Sequence, residues 1–107
     1  MKHLPNYDHD ERTRYDVRIV EYGCYFEEVD VHWVRGCMTL EEAQIKYVAK
    51  RNEICNRIGA GASRVGNGQV FDERGQHLAY ISFNGRLWRV WVNEFLADFP
   101  KIVEEKV

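Results

Sequence analysis

Tyr15, Val17 and Ile19 alternate with Asp16 and Arg18, the two-residue period of a half-buried strand. A second run of the same kind sets Val29, Val31 and Trp33 against Glu28, Asp30 and His32, and Gly23 between the runs marks a turn. Pairing Ile19 with Val29 brings Val17 opposite Val31 and Tyr15 opposite Trp33. This register leaves a connection of about three residues, a common hairpin length. It gathers the apolar side chains on one face and directs His32 to solvent.

The period then changes. Thr39-Leu40-Glu41-Glu42 is a capping box, in which the Thr39 hydroxyl accepts from the Glu42 amide and the Glu42 carboxylate reaches back. The pattern predicts a helix from Leu40 to about Ile58, ended by Gly59 in the left-handed conformation. Leu40, Ala43, Tyr47, Ile54 and Ile58 fall within an arc of roughly 60° and form the core stripe, flanked by Val48 and Cys55. Lys46, Lys50 and Arg57 share the other flank, with Glu42–Lys46 and Glu53–Arg57 spaced as intrahelical ion pairs.

The glycine-rich stretch from Gly59 to Gln69 reads as a connection. Three strands follow, at Gln69–Asp72, His77–Phe83 and Arg86–Val92, with Asn84-Gly85 as a two-residue hairpin turn. Phe95, Leu96, Phe99, Ile102 and Val103 suggest one or two helical turns at the end, interrupted at Pro100. The expected architecture is α+β: a single antiparallel sheet of about five strands packed on one main helix, in the order β-β-α-β-β-β-α. Residues 1–14 are expected to be a flexible N-terminal segment and 15–107 a single domain.

A two-residue turn at Asn84-Gly85 sets Phe83 against Arg86, Ile81 against Trp88 and Ala79 against Val90 on the helix-facing side. The opposite face then pairs Ser82 with Leu87, Tyr80 with Arg89 and Leu78 with Trp91. A face meeting only water should be polar. This one carries Leu78, Tyr80, Leu87 and Trp91 around Arg89, and Trp, Tyr and Arg are enriched at binding hot spots. Two readings stand: the chain ends cover this face, or it binds a partner or a second copy of the chain.

Composition narrows the function classes. The chain has 107 residues, with 15 Lys and Arg against 17 Asp and Glu, a formal net charge of −2. This near balance argues against binding nucleic acid through overall charge. Cys24, Cys37 and Cys55 are sparse and odd in number, which reads as a reducing, cytoplasmic chain rather than a disulfide scaffold. No apolar run is long enough to span a membrane, and the polar start, Met1 to Arg14, lacks the apolar core of a secretory signal. Gly59-Ala60-Gly61-Ala62-Ser63-Arg64 follows a helix instead of joining a strand to one, so it does not read as a dinucleotide loop. His3, His9, His32 and His77 have no metal-ligand spacing. Glu27, Glu28 and Asp30 are split by alternation and read as a solvated edge or an acidic partner patch. No cysteine has an evident base beside it. These readings predict no catalytic residue, no metal and no cofactor.

Thr39 to Ala43, Val70 to Gly75, Ala79 to Ser82 and Asn84 to Trp88 together resemble, in layout, small accessory proteins of phages and plasmids, some anti-CRISPR proteins among them. The resemblance spans roughly residues 15–92. It implies a non-enzymatic protein that occupies the surface of a host complex, and it transfers no functional residue. The expected function is therefore protein binding, centred on Tyr80, Arg89 and Trp91 with Leu78 and Leu87 around them, and a homodimer is a third arrangement. The alternative is a nucleic-acid-binding module using Lys46, Lys50, Arg57, Arg86 and Arg89 with the hairpin aromatics.

Overall fold

The computed structural model describes residues 14–59, 61 and 64–98. Seven elements follow in order: β1 (Tyr15–Tyr22), β2 (Glu28–Cys37), α1 (Leu40–Ile58), β3 (Val65–Phe71), β4 (His77–Ile81), β5 (Leu87–Arg89) and β6 (Glu94–Ala97). The strands form one six-stranded sheet in the order β2-β1-β3-β4-β5-β6, with every neighbouring pair antiparallel. The α+β class with one sheet and one helix therefore holds. The sheet has a sixth strand where helical turns were expected, because Glu94–Ala97 continues the meander beside β5. Residues 1–13 and 99–107, which include Phe99, Ile102 and Val103, lie outside the described residues.

The helix forms as its local chemistry dictates. Thr39 Oγ1 accepts from the Glu42 amide at 3.0 Å, and Glu42 Oε1 accepts from the Met38 amide at 2.8 Å. Gly59 closes the helix at φ 68°, its amide donating to the Cys55 carbonyl at 2.8 Å. Leu40, Ala43, Tyr47 and Ile54 pack on one face of the sheet against Tyr15, Val17, Ile19, Val70, Ala79, Ile81 and Leu87. We call this the inner face.

The first hairpin has another register. Ile19 pairs with His32, Val17 with Val34 and Tyr22 with Glu28, leaving a five-residue connection over residues 23–27. The Gly23 amide donates to Glu27 O, the Phe26 amide donates to Gly23 O, and Phe26 sits at φ 63°. The shift is odd, so it exchanges the two faces of β2. Val34 packs on the core, whereas Trp33 is exposed on the outer face, His32 turns inward, and Val29, also exposed, falls at the bulge between Glu28 and Asp30.

The last hairpin also differs, by one residue. Ser82 pairs with Arg86 across a three-residue loop, Phe83-Asn84-Gly85, with Gly85 at φ 91°. This is a turn followed by a left-handed residue, the next most common hairpin after the two-residue form. Two helix side chains hold it. Gln44 Nε2 donates to the Gly85 carbonyl at 2.9 Å, and Arg51 donates to the Phe83 carbonyl. Ile81 therefore pairs with Leu87, Tyr80 with Trp88 and Ala79 with Arg89. Leu87 moves to the fully buried inner face and Trp88 to the outer one.

β3 begins at Val65, so much of the glycine-rich stretch is strand rather than connection. Its glycines make room for neighbours. A Cβ on Gly68 would lie 2.6 Å from Tyr47 Cδ1, so only glycine lets the helix tyrosine seat on the strand.

Candidate functional site

The observed registers align six outer-face residues in one row across the whole sheet. Trp33 pairs with Arg18, Arg18 with Gln69, Gln69 with Tyr80, Tyr80 with Trp88, and Trp88 with Phe95. Cross-strand neighbours on one face lie close enough for their side chains to interact, and these do. Arg18 Nη1 donates to Gln69 Oε1 at 2.6 Å. The Tyr80 and Trp88 rings lie within 8° of parallel with centroids 6.3 Å apart, and Phe95 meets Trp88 edge-on at 5.2 Å. At the other end the Arg35 guanidinium sits 4.3 Å over the Trp33 ring. The polar tips of the central rings are held: Tyr80 donates to Asn93 Oδ1, and Trp88 Nε1 donates to Ser82 Oγ at 3.2 Å.

No described helix lies on this face. Trp33 and Phe95 are 38% and 46% exposed, which leaves both ends of the row open. A groove of about 440 Å³ runs over its middle, lined by Arg18, Tyr22, Asn67, Gln69, His77 and Tyr80 among others. Its lining is largely polar, and Tyr22 and Tyr80 contribute their rings to it. His77 stacks on Phe71 at 5.0 Å, and its Nε2 is buried without a hydrogen-bond partner. Burial holds the His77 pKa below the usual histidine value, against a backbone hydrogen bond at Ala79 that raises it.

His77 also lines a second hollow, of about 190 Å³, together with Leu78, Arg89 and Trp91. The structure thus brings Leu78, Arg89 and Trp91 together beside the groove that holds Tyr80. The shifted register takes both Leu87 and Arg89 off the outer row: Leu87 is buried in the core, and Arg89, expected opposite Tyr80, pairs with Ala79 on the inner side while still lining this hollow. Arg89 is bonded to Glu94 at 3.0 Å, and Trp91 stands on the β5–β6 turn, 88% exposed at φ 79°.

The basic residues of the nucleic-acid alternative are each matched by a carboxylate. Lys46 lies 3.7 Å from Glu42, Lys50 3.4 Å from Glu53, Arg57 2.7 Å from Glu21 and Arg86 2.8 Å from Asp98. Glu53 therefore pairs with Lys50, and the expected Glu53–Arg57 pair gives way to Glu21–Arg57. Sequence reasoning missed Arg18, Gln69, Trp88 and Trp33 as outer-face partners. Only the alternation at Arg18 signalled an outward side chain; the rest depends on registers set by distant contacts.

Among the described residues, no helix is long and apolar enough to cross a membrane. Comparison with protein-family models, with curated proteins and with solved structures finds no match.

Proposed function

We propose that this protein is a non-enzymatic binding module that receives a protein partner on the outer face of its sheet. The observation that carries the reading is the row Trp33–Arg18–Gln69–Tyr80–Trp88–Phe95 with the groove across it. Trp, Tyr and Arg contribute most at protein interfaces when they sit at a desolvated centre ringed by contacts that exclude water. His77 joins this groove to the hollow of Leu78, Arg89 and Trp91, so the contact centre extends around Tyr80 to that corner. All three cysteines are free, in support of a cytoplasmic setting. The layout resemblance to phage and plasmid accessory proteins adds the role: inhibition of a host complex by occupying its surface.

Nucleic acid is the second reading, favoured by one feature of the same face. Arg18 and Gln69 present hydrogen-bonding groups in a groove to which Tyr22 and Tyr80 contribute their rings, the combination that holds single-stranded bases.

Affinity capture from native lysate, with and without nuclease, tests both. The expected result is a protein partner that survives nuclease and is lost from Phe95→Ala and Arg18→Ala variants that keep their fold. A partner that disappears with nuclease, with affinity falling steeply as salt rises, would replace the first reading by the second. A protein captured equally by wild type and both variants would sink the assignment to this face.

A further inference from the structure

On the inner face, beyond the C-terminal end of α1, three potential metal ligands converge. Glu21 of β1 pairs directly with Asp30 of β2, and His32 follows two residues on, on the same face. The ladders on both sides of β1 break register next to Glu21, and such irregularities re-aim a side chain. His32 Nε2 lies 2.8 Å from Glu21 Oε1 and 3.8 Å from Asp30 Oδ2. One ligand atom from each residue falls within 4.8 Å of the others. Ligands bound at about 2.0–2.2 Å to one tetrahedral ion stand roughly 3.4 Å apart, so small side-chain rotations suffice.

An ion here would replace the hydrogen bond between His32 Nε2 and Glu21 Oε1 and compete with Arg57 for the same oxygen. Asp30 Oδ1 accepts from the Val31 amide at 2.8 Å, which orients Oδ2 toward His32. The Glu21 and His32 side chains are 8% and 16% exposed and that of Asp30 is 63% exposed, so the cluster is walled on one side and open on the other. Arg57 Nη2 lies 2.7 Å from Glu21 Oε1. The Arg57 side chain is 55% exposed, so water can solvate the guanidinium if an ion displaces it from Glu21.

We propose that Glu21, Asp30 and His32 form a binding site for a first-row divalent cation such as Zn²⁺, with the remaining coordination position open to solvent and Arg57 as the competing counter-ion. One imidazole with two carboxylates is a borderline donor set that suits Zn²⁺ and its neighbours, and three protein ligands leave an open position. The site is independent of the outer face, since the helix side of the sheet carries it.

The test is calorimetric titration of Zn²⁺ into chelator-treated full-length protein, with Co²⁺ absorption as a second readout. The expected result is one ion per chain. Asp30→Asn and His32→Gln should each weaken binding at least about tenfold. Arg57→Gln should tighten it, because Glu21 is released from its competitor. Melting curves in EDTA show that each variant is folded, and exposed Asp30 offers a substitution that leaves the core untouched. Absence of saturable binding in the wild type overturns the site. So does binding that both ligand variants retain, which would place the ion elsewhere, or a loss of affinity in Arg57→Gln.

Discussion

Tyr47 packs directly against the backbone of Gly68: a Cβ there would fall 2.6 Å from Tyr47 Cδ1 and 2.9 Å from Val17 Cγ1. Both neighbours are fully buried, and the Tyr47 hydroxyl is anchored to the Gly66 carbonyl at 2.9 Å, so neither yields easily. Gly68→Ala should therefore overpack the helix–sheet interface and cost about 1–3 kcal/mol. Urea unfolding checks this: the midpoint should fall with an unchanged slope.

Leu87 and Trp91 are four residues apart and should respond in opposite ways. Leu87 is fully buried between Ile81 and Ala97, its neighbours across the sheet. Leu87→Ala should cost roughly 2–5 kcal/mol, as a cavity in a packed core does. Trp91 is 88% exposed, so Trp91→Ala should change stability by no more than about 0.5 kcal/mol. Its backbone stands at φ 79°, where a Cβ is strained. Trp91→Gly should therefore be more stable than Trp91→Ala, by roughly 1 kcal/mol. Thermal melts of the three variants decide the order.

The contrast between helix and hairpins shows which parts of the fold were legible. Thr39, Glu42 and Gly59 act on their own neighbours in the chain, so the helix limits and its core stripe follow from the sequence alone. The hairpin registers do not. β2 is apolar at Val29, Val31 and Trp33 and again at Val34, so alternation does not choose its inner face. The choice lies with a five-residue connection in which Phe26 takes a positive φ. The Asn84-Gly85 turn is a hairpin, but its length is set by Gln44 and Arg51 reaching across from the helix. Tyr80 was recognisable as an outer-face residue; its neighbours Gln69 and Trp88 were not, because that pairing needs both registers at once. Gly66 and Gly68 read as a loop because glycine weakens a strand, and the ring that requires Gly68 belongs to a helix twenty-one residues earlier.

The three thiols should differ sharply in reactivity. Cys37 is fully buried, and burial, with a smaller push from Glu42, raises its pKa to about 11 against the pull of Lys46. The thiolate is the reactive form, so native Cys37 should be inert to a thiol reagent near pH 8. Cys24 is exposed on the first turn and Cys55 is half-buried. Titration with an aromatic disulfide should find Cys24 fast and Cys55 slower. Cys37 should react only in denaturant, which raises the total to three.

His77 gives the molecule a pH dependence whose sign follows from its surroundings. Burial disfavours the charged ring and holds its pKa in the folded chain below the roughly 6.5 of an exposed histidine. As pH falls below that value the unfolded chain takes up the proton first, so stability drops. The contribution is complete above about pH 6.5 and is lost as the pH falls through the folded value. His77→Phe removes the titration. It also removes a buried Nε2 that has no hydrogen-bond partner and keeps a ring against Phe71. A buried polar atom without a partner is a cost that an apolar isostere avoids. The variant should therefore match or exceed wild-type stability near pH 7, and its advantage should widen toward pH 5. Urea midpoints measured across that range test the sign: an advantage that shrinks on acidification would show that the ring is charged in the folded protein.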